Sequence, residues 1–126
     1  MTENEIAKNV FEAALLVHRK LGPGLLESAY QNCLIYELQR KGLIIEKEKP
    51  LPLIYNSIHL DIGYRIDIMV NNKFIIELKC VEALNEIHMA QILTYLRLSN
   101  CKLGMLINFN VKMLKHGVKR VINGFL

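Results

Sequence analysis

The first forty residues of the chain carry apolar side chains at helical spacing. Thr2 and Glu5 have the spacing of a capping box, and the apolar pattern behind them runs from Ile6 to Leu21. Gly22 follows the last periodic residue and a proline comes next, which is typical of a helix end. The sequence therefore predicts a first helix that is capped at Thr2 and ends at Gly22.

A second helix is predicted from Gly24, its N-cap, to about Lys41, where Gly42 ends it. With Gly24 at the cap, Glu27 would be the third helical residue, where a carboxylate interacts favourably with the helix dipole and the free backbone amides. This capping role by itself explains an acid at that position. A catalytic role for Glu27 therefore needs support from the rest of the chain.

The hydrophobic period changes to that of β-strands after Gly42. Strands are predicted over residues 43–49, 51–55, 58–70 and 74–80. Asn56-Ser57 and Asn71-Asn72 are turn signals between them, and Gly63 inside the long third segment predicts a bulge or kink. This part of the chain is therefore expected to form antiparallel strands.

The last third of the chain combines a helix with buried strands. Helical spacing returns from about Asn85 to Ser99, and Leu103–Phe109 is nearly all apolar, which is typical of a strand buried on both faces. A short strand is expected near Val118–Ile122. Because the helix is long enough for a right-handed crossover, the strands on either side of it are expected to be parallel. The order of elements predicts an α/β fold in which helices flank a central mixed β-sheet, within a single domain spanning residues 1–126.

The composition is that of an ordinary globular domain. Of the 126 residues, 52% are hydrophobic and 22% are charged, which excludes a disordered or low-complexity chain. No apolar run approaches the roughly 18 residues that a membrane-spanning helix needs, and the polar N-terminus is unlike a signal peptide. Cys33, Cys80 and Cys101 lack paired or zinc-binding spacing. We expect reduced core thiols in a cytoplasmic protein that has no membrane partner.

Charge is distributed unevenly along the chain, whose net charge is +4. Residues 1–86 hold 10 basic and 12 acidic side chains, whereas residues 87–126, here called the basic third, hold no acid. The six basic residues there are Arg97, Lys102, Lys112, Lys115, Lys119 and Arg120. A surface whose charged groups are all positive attracts a polyanion such as nucleic acid. The alternative interpretation is a basic face that is only solvated and binds no partner.

The candidate chemistry centres on Asp67 and on the segment Glu77-Leu78-Lys79 across the predicted turn. Glu77 and Lys79 point to the same face of a strand because side chains alternate along it. A two-residue loop at 71–72 would place Asp67 on the face opposite Glu77, whereas a three-residue loop at 71–73 would set the two acids directly across from each other. Asparagine tolerates the left-handed conformation that three-residue loops require, and we therefore predict that loop.

Two carboxylates so placed lie roughly 5 Å apart and repel each other by about 3 kcal/mol at an effective dielectric constant near 20. A positive group is therefore expected between them. Lys79 is one candidate, and a hard divalent cation with oxygen ligands, Mg²⁺ or Mn²⁺, is the other. Structural pairing on a strand face is the simpler explanation of these charges. Their position favours a site, because they interrupt apolar strands, where an unpartnered charge is unfavourable.

Polar side chains also share one face of the later helix. His88, Gln91 and Tyr95 are spaced i, i+3 and i+7, so they lie along a single stripe. Three side chains with polar ends are unusual on a helix face that is buried. On an exposed face they would be ordinary surface residues.

Three segments resemble the motifs of one known family. Gly24-Leu25-Leu26-Glu27-Ser28-Ala29-Tyr30 is similar to the Gly-x-x-Glu-x-x-Tyr signature of the GxxExxY proteins, which belong to the PD-(D/E)XK, restriction-endonuclease-like nuclease superfamily. Gly63–Asp67 with Glu77-Leu78-Lys79 resembles the metal-binding hairpin of that superfamily, although Ile66 stands where a proline is usual. His88–Leu96 resembles the Gln-x-x-x-Tyr helix of its RecB-like branch. The resemblance spans roughly residues 5–125, with the three motifs in the family's order.

The resemblance implies a nuclease that depends on Mg²⁺ or Mn²⁺ and hydrolyses phosphodiester bonds of nucleic acid, with DNA as the expected substrate. Glu27, Asp67 and Glu77 would bind the metal, and Lys79 would serve catalysis. The residues expected to line the site or contact substrate are Tyr30, Arg65, His88, Gln91 and Tyr95. The alternative is a non-catalytic nucleic-acid-binding or accessory subunit on the same fold.

Two further expectations concern how a substrate would be held. One metal site per chain would make a homodimer useful for cutting both strands of a duplex. With no Trp, four Phe and five Tyr, the composition gives little sign of a platform on which bases could stack.

Overall fold

The computed structural model describes residues 1–126. The chain forms three α-helices, seven strands and a short 3₁₀ turn at Leu114–Gly117. The helices are α1 (Glu3–Leu21), α2 (Glu27–Arg40) and α3 (Glu86–Ser99). The strands are β1 (Ile45–Pro50), β2 (Leu53–Tyr55), β3 (Ile58–Leu60), β4 (Arg65–Val70), β5 (Phe74–Lys79), β6 (Leu103–Asn108) and β7 (Val118–Ile122).

Five of the strands form one mixed sheet in the order β1-β4-β5-β6-β7, and β2 and β3 form a separate two-stranded hairpin. β5 and β6 are parallel neighbours, with Phe74 paired to Leu103 and Lys79 paired to Asn108, while the other neighbours in this sheet are antiparallel. The predicted parallel pair across α3 and the predicted α/β architecture are therefore confirmed.

Helices cover both faces of the sheet, so an apolar cluster lies on each side. The cluster under α1 and α2 includes Ile6, Val10, Leu34, Phe74 and Ile76. The cluster under α3 includes Ile75, Ile92, Leu96 and Leu106. Alternate residues of β5 thus enter different clusters, which explains its almost continuous apolar sequence. By the same alternation, Glu77 and Lys79 lie with Ile75 on the α3 face.

The start of α2 differs from its prediction. Leu26, not Gly24, is the N-cap, and Glu27 is the first residue of the helix instead of the third. Gly24 has φ +99, which is outside the helical region. The Tyr30 hydroxyl accepts a hydrogen bond from Leu25 N–H at 3.1 Å and donates one to the Gly22 carbonyl, and these contacts hold the preceding segment in a turn.

The predicted long strand over residues 58–70 is also wrong as a single element. β3 ends at Leu60 and β4 begins at Arg65, and β3 pairs only with β2. Gly63, which predicted a kink, lies in the irregular segment between them at φ +85. Because of this break, the β2–β3 hairpin is not part of the five-stranded sheet.

The three cysteines are all free thiols, but only Cys101 is buried; Cys80 is half-buried and Cys33 is exposed. The expectation of three core thiols is therefore wrong for Cys33, which is exposed on α2. None of the helices combines the length and the apolar character needed to cross a bilayer.

Candidate active site

The hairpin of β4 and β5 brings the two central acids together. Asn71 and Asn72 adopt left-handed conformations at φ 50 and 55, and Val70 pairs with Phe74 across the turn. The predicted three-residue loop is confirmed, and its register sets Asp67 across from Glu77. Regular β4–β5 pairing ends at Ile68. Beyond it, backbone N–H groups donate to side-chain carboxylates of the opposite strand instead of to backbone carbonyls. Asp67 N–H donates to Glu77 Oε1 at 3.1 Å.

A second hydrogen bond completes this reciprocal arrangement, because Leu78 N–H donates to Asp67 Oδ2 at 2.9 Å. Each acid thus accepts a hydrogen bond from a backbone N–H of the opposite strand, which holds the two carboxylates side by side. Desolvation raises the pKa of Asp67, while the hydrogen bond from Leu78 acts in the opposite direction.

Glu77 is the more perturbed of the two acids. Its side chain is 3% exposed, and desolvation together with the charge of Asp67 raises its pKa to about 8. Lys79 is close enough to lower the pKa of both acids, but it does not compensate for burial. A buried carboxyl group in this state retains its proton at neutral pH until another cation arrives.

Lys79 is oriented by a short chain of polar groups on α3. Its Nζ donates to Gln91 Oε1 at 3.0 Å, and Gln91 Nε2 donates to the Tyr95 hydroxyl at 3.3 Å. The ring of Tyr95 is buried, and burial followed by the charge of Glu77 raises its pKa. Two residues of the predicted polar stripe of α3, Gln91 and Tyr95, therefore border the acids.

The N-terminus of α2 approaches the same acids from another element. Desolvation and then the charge of Asp67 raise the pKa of Glu27, while Lys79 lowers it, so Glu27 lies within electrostatic reach of both. One turn further along α2, Gln31 donates from Nε2 to the Asp67 backbone carbonyl at 3.1 Å. This contact ties α2 to β4 at the level of the site.

Two residues that were expected to line the site, Tyr30 and His88, make their contacts elsewhere, and a third, Arg65, makes no side-chain hydrogen bond. Tyr30 is fully buried and stacks on Phe109, with ring centroids 4.5 Å apart, so its role is to hold the turn before Glu27. His88 forms a capping box with Asn85 at the start of α3. Arg65 is exposed at the beginning of β4 and has no ion-pair partner.

The structure adds polar residues that the sequence patterns did not single out. Gln31 could have been found from its i+4 spacing to Glu27 on one helix. Glu48 lies opposite Asp67 because β1 pairs Lys47 with Ile68, and its charge contributes to raising the pKa of Asp67. Glu48 also has φ +49, an uncommon conformation for this residue type. Nothing in the sequence pairs it with Asp67 before the register of β1 is known.

A hard divalent cation fits the central pair of acids by its donor chemistry. Asp67 and Glu77 offer carboxylate oxygens close to each other, and burial raises the pKa of both because their ionised forms lose solvation by water, which a bound cation would replace. Mg²⁺ is commonly held by one or two carboxylates together with water and substrate phosphates. No group of three or more His, Cys, Asp or Glu side chains is arranged to hold a metal, so Glu27 does not complete a three-acid set in this geometry.

Comparison with known proteins gives one match. A family model described as the PD-(D/E)XK nuclease superfamily matches residues 4–121, which is nearly the whole chain. No curated protein and no solved structure matches the chain. The matched span includes both central acids, Lys79 and the polar stripe of α3.

Proposed function

The chain belongs to the PD-(D/E)XK nuclease superfamily, and from this membership and the geometry of the site we propose that it is a nuclease dependent on Mg²⁺ or Mn²⁺ that hydrolyses phosphodiester bonds in DNA. The observation that carries the proposal is the pair Asp67 and Glu77, fixed side by side by reciprocal backbone hydrogen bonds with Lys79 next to them. The Gly24–Tyr30 segment supports placement in the GxxExxY group, with residues 1–126 acting as one domain.

Asp67 and Glu77 would hold the cation, whereas Glu27, at the start of α2, lies within electrostatic reach of Asp67 but is not arranged with the two acids as a third ligand. When bound, the cation would supply Lewis-acid polarisation of a phosphate oxygen and activation of water. The ammonium group of Lys79 would stabilise the negative charge that develops on the phosphate oxygens. Gln91 keeps this ammonium aimed at the acids, since it accepts a hydrogen bond from Lys79 and is itself held by Tyr95.

The basic third supports a nucleic-acid substrate. All six of its cations are exposed, and none takes part in an ion pair. Arg120 contacts Asn4, a neutral partner, and the rest are free to neutralise phosphates. If the substrate is a duplex, a homodimer would provide the second site needed to cut both strands.

The test is cleavage of labelled DNA, single-stranded and duplex, and of RNA by the purified chain with Mg²⁺ or Mn²⁺. Asp67→Asn and Lys79→Ala should each lower the rate by at least about 100-fold while the far-UV circular dichroism stays unchanged. Glu82→Gln and Lys8→Ala, which alter exposed side chains outside the site, serve as matched controls that retain activity. A wild-type protein that cleaves none of these substrates would overturn the proposal.

One observation favours a second candidate, a non-catalytic nucleic-acid-binding or accessory subunit: no three acids are arranged around a common point. Such a subunit would bind DNA with a steep salt dependence but without need of a divalent ion. Titration calorimetry with Mn²⁺ separates the two candidates, because a nuclease should show Mn²⁺ uptake that is lost in Asp67→Asn. Binding of DNA that is unaffected by Mn²⁺ and by Lys79→Ala would favour the subunit.

A further inference from the structure

A cavity of about 300 Å³ lies beside the polar chain that orients Lys79. It is lined by Leu53, Tyr64, Gln91, Thr94, Tyr95 and Leu98. These residues come from β2, from the irregular segment before β4 and from α3, so only the folded chain assembles the cavity. Gln91 belongs both to this wall and to the candidate active site, where its Oε1 lies 3.0 Å from Lys79 Nζ.

Two tyrosines meet in the wall of the cavity. The ring centroids of Tyr64 and Tyr95 are 6.2 Å apart with an interplanar angle of 55°. Tyr95 is 6% exposed and is anchored in the core, whereas Tyr64 is 45% exposed. Tyr64 therefore rests against a rigid neighbour while much of its own surface is available to a ligand.

The chemistry of the lining specifies a neutral, flat ligand with a polar edge. No charged side chain lines the cavity. The aromatic rings and the two leucines offer apolar contact, while the Gln91 amide and the Thr94 hydroxyl carry hydrogen-bonding groups. A nucleobase has this combination, since its faces are apolar and its edges carry donors and acceptors.

We infer that this cavity receives one unpaired nucleobase of the substrate strand, which stacks on Tyr64 next to the phosphate being cleaved. The inference rests on the proposed nuclease function and names its substrate class: a single-stranded segment or an unpaired end. A base within a duplex has both faces covered by its neighbours, so it would first have to be flipped out of the stack, at a cost that an unpaired base does not carry. Cleavage of such a strand requires one site only, so a second copy of the chain is not needed.

The amino-acid composition predicts the opposite, because the chain has few aromatic residues and no Trp. Tyr64 and Tyr95 are far apart in sequence and come together because the chain leaves the β2–β3 hairpin before β4 begins. A short stacking surface can therefore exist in a chain that is poor in aromatic residues.

The inference is tested by binding in EDTA, where no cleavage occurs. The probes are an oligothymidylate of about 12 nucleotides, an abasic strand of equal length and charge, and the same thymidylate carrying one 2-aminopurine. Wild-type protein should bind the thymidylate about 5- to 150-fold more tightly than the abasic strand, the range expected for one stacked base. Binding should also quench the 2-aminopurine fluorescence.

Tyr64→Ala should reduce this preference to near one and abolish the quenching, while Tyr64→Phe should retain both. Tyr55→Ala is the matched control, because Tyr55 is also an exposed tyrosine but lies on β2 outside the cavity. Equal affinity of wild type for the two strands, or a preference that survives Tyr64→Ala, would overturn the inference even if the protein cleaves DNA. A Tyr64-dependent preference in a protein that never cleaves would overturn the nuclease proposal and leave the base site standing.

Discussion

The substitution Glu77→Gln, made in the absence of divalent metal, should change how the stability of the fold depends on pH. In the folded protein, desolvation and the charge of Asp67 raise the pKa of Glu77 from 4.5 to about 8. A raised pKa means that the folded state holds this proton more tightly than the unfolded state does. As far as Glu77 is concerned, the free energy of unfolding of the metal-free wild type should therefore be highest below about pH 4.5 and should fall as the pH rises through about 8.

The size of the effect follows from the shift. One pKa unit corresponds to about 1.36 kcal/mol, so the fully ionised Glu77 costs the fold on the order of 5 kcal/mol. Gln at this position has no proton to lose. Its carbonyl oxygen can still accept the hydrogen bond from Asp67 N–H, and its amide group can donate to the Asp67 carboxylate as the protonated acid does. At pH 8 the variant should be more stable than wild type by several kcal/mol, and near pH 5 the two should be similar.

The measurement is urea unfolding in EDTA at several pH values between 5 and 8.5, followed by circular dichroism. Glu82→Gln removes an exposed acid close by in the chain and should retain the wild-type pH profile. Addition of Mn²⁺ at pH 8 should raise the free energy of unfolding of wild type and of Glu82→Gln, whereas that of Glu77→Gln, which lacks a ligand, should not change. Parallel pH profiles for wild type and Glu77→Gln would refute the reasoning, because Glu77 would then carry no uncompensated charge.

Three further substitutions test how the site is supported. Gln91→Ala removes the group that accepts a hydrogen bond from the Lys79 ammonium and should lower the cleavage rate by about 10- to 100-fold. The affinity for Mn²⁺, measured by calorimetry, should not change. A matching loss of Mn²⁺ binding would contradict the role of Gln91 in orienting Lys79. Tyr30→Phe removes two hydrogen bonds to the turn before α2 and should lower the free energy of unfolding by about 1–3 kcal/mol in urea titrations. Gly104→Ala places a methyl group 2.9 Å from the Ile75 carbonyl oxygen and 3.1 Å from a side chain of α3. It should therefore destabilise the fold by about 1–3 kcal/mol, measured by thermal unfolding. An unchanged melting temperature would show that α3 is not packed as closely as described.

The helices, the strands and the central hairpin follow from local sequence. The capping box at Thr2 and Glu5 forms as predicted, because both partners lie within one helical turn. Asn71 and Asn72 take the left-handed conformations that a three-residue loop needs. The length of that loop determines which residues of β4 and β5 stand opposite each other. Because Val70 pairs with Phe74, Asp67 lies across from Glu77.

Two boundaries were predicted wrongly because contacts distant in sequence decide them. α2 starts at Glu27 since the Tyr30 hydroxyl, supported by its stack on Phe109, holds the preceding turn. The β3 and β4 segments separate because β4 pairs with β1 while β3 pairs with β2. In both places the local apolar pattern was continuous and contained no information about the competing partner.

The candidate site shows the same division. The sequence by itself determined that Glu77 and Lys79 share a face with Asp67 and that Gln91 and Tyr95 share a stripe, because the periods of strands and helices and the chemistry of short turns are local properties. Only the tertiary structure decided that Gln91 reaches Lys79, that Glu48 lies opposite Asp67, and that Tyr64 meets Tyr95. These contacts depend on strand register and on the packing of α3 against the sheet, which are set by interactions between segments far apart in the chain.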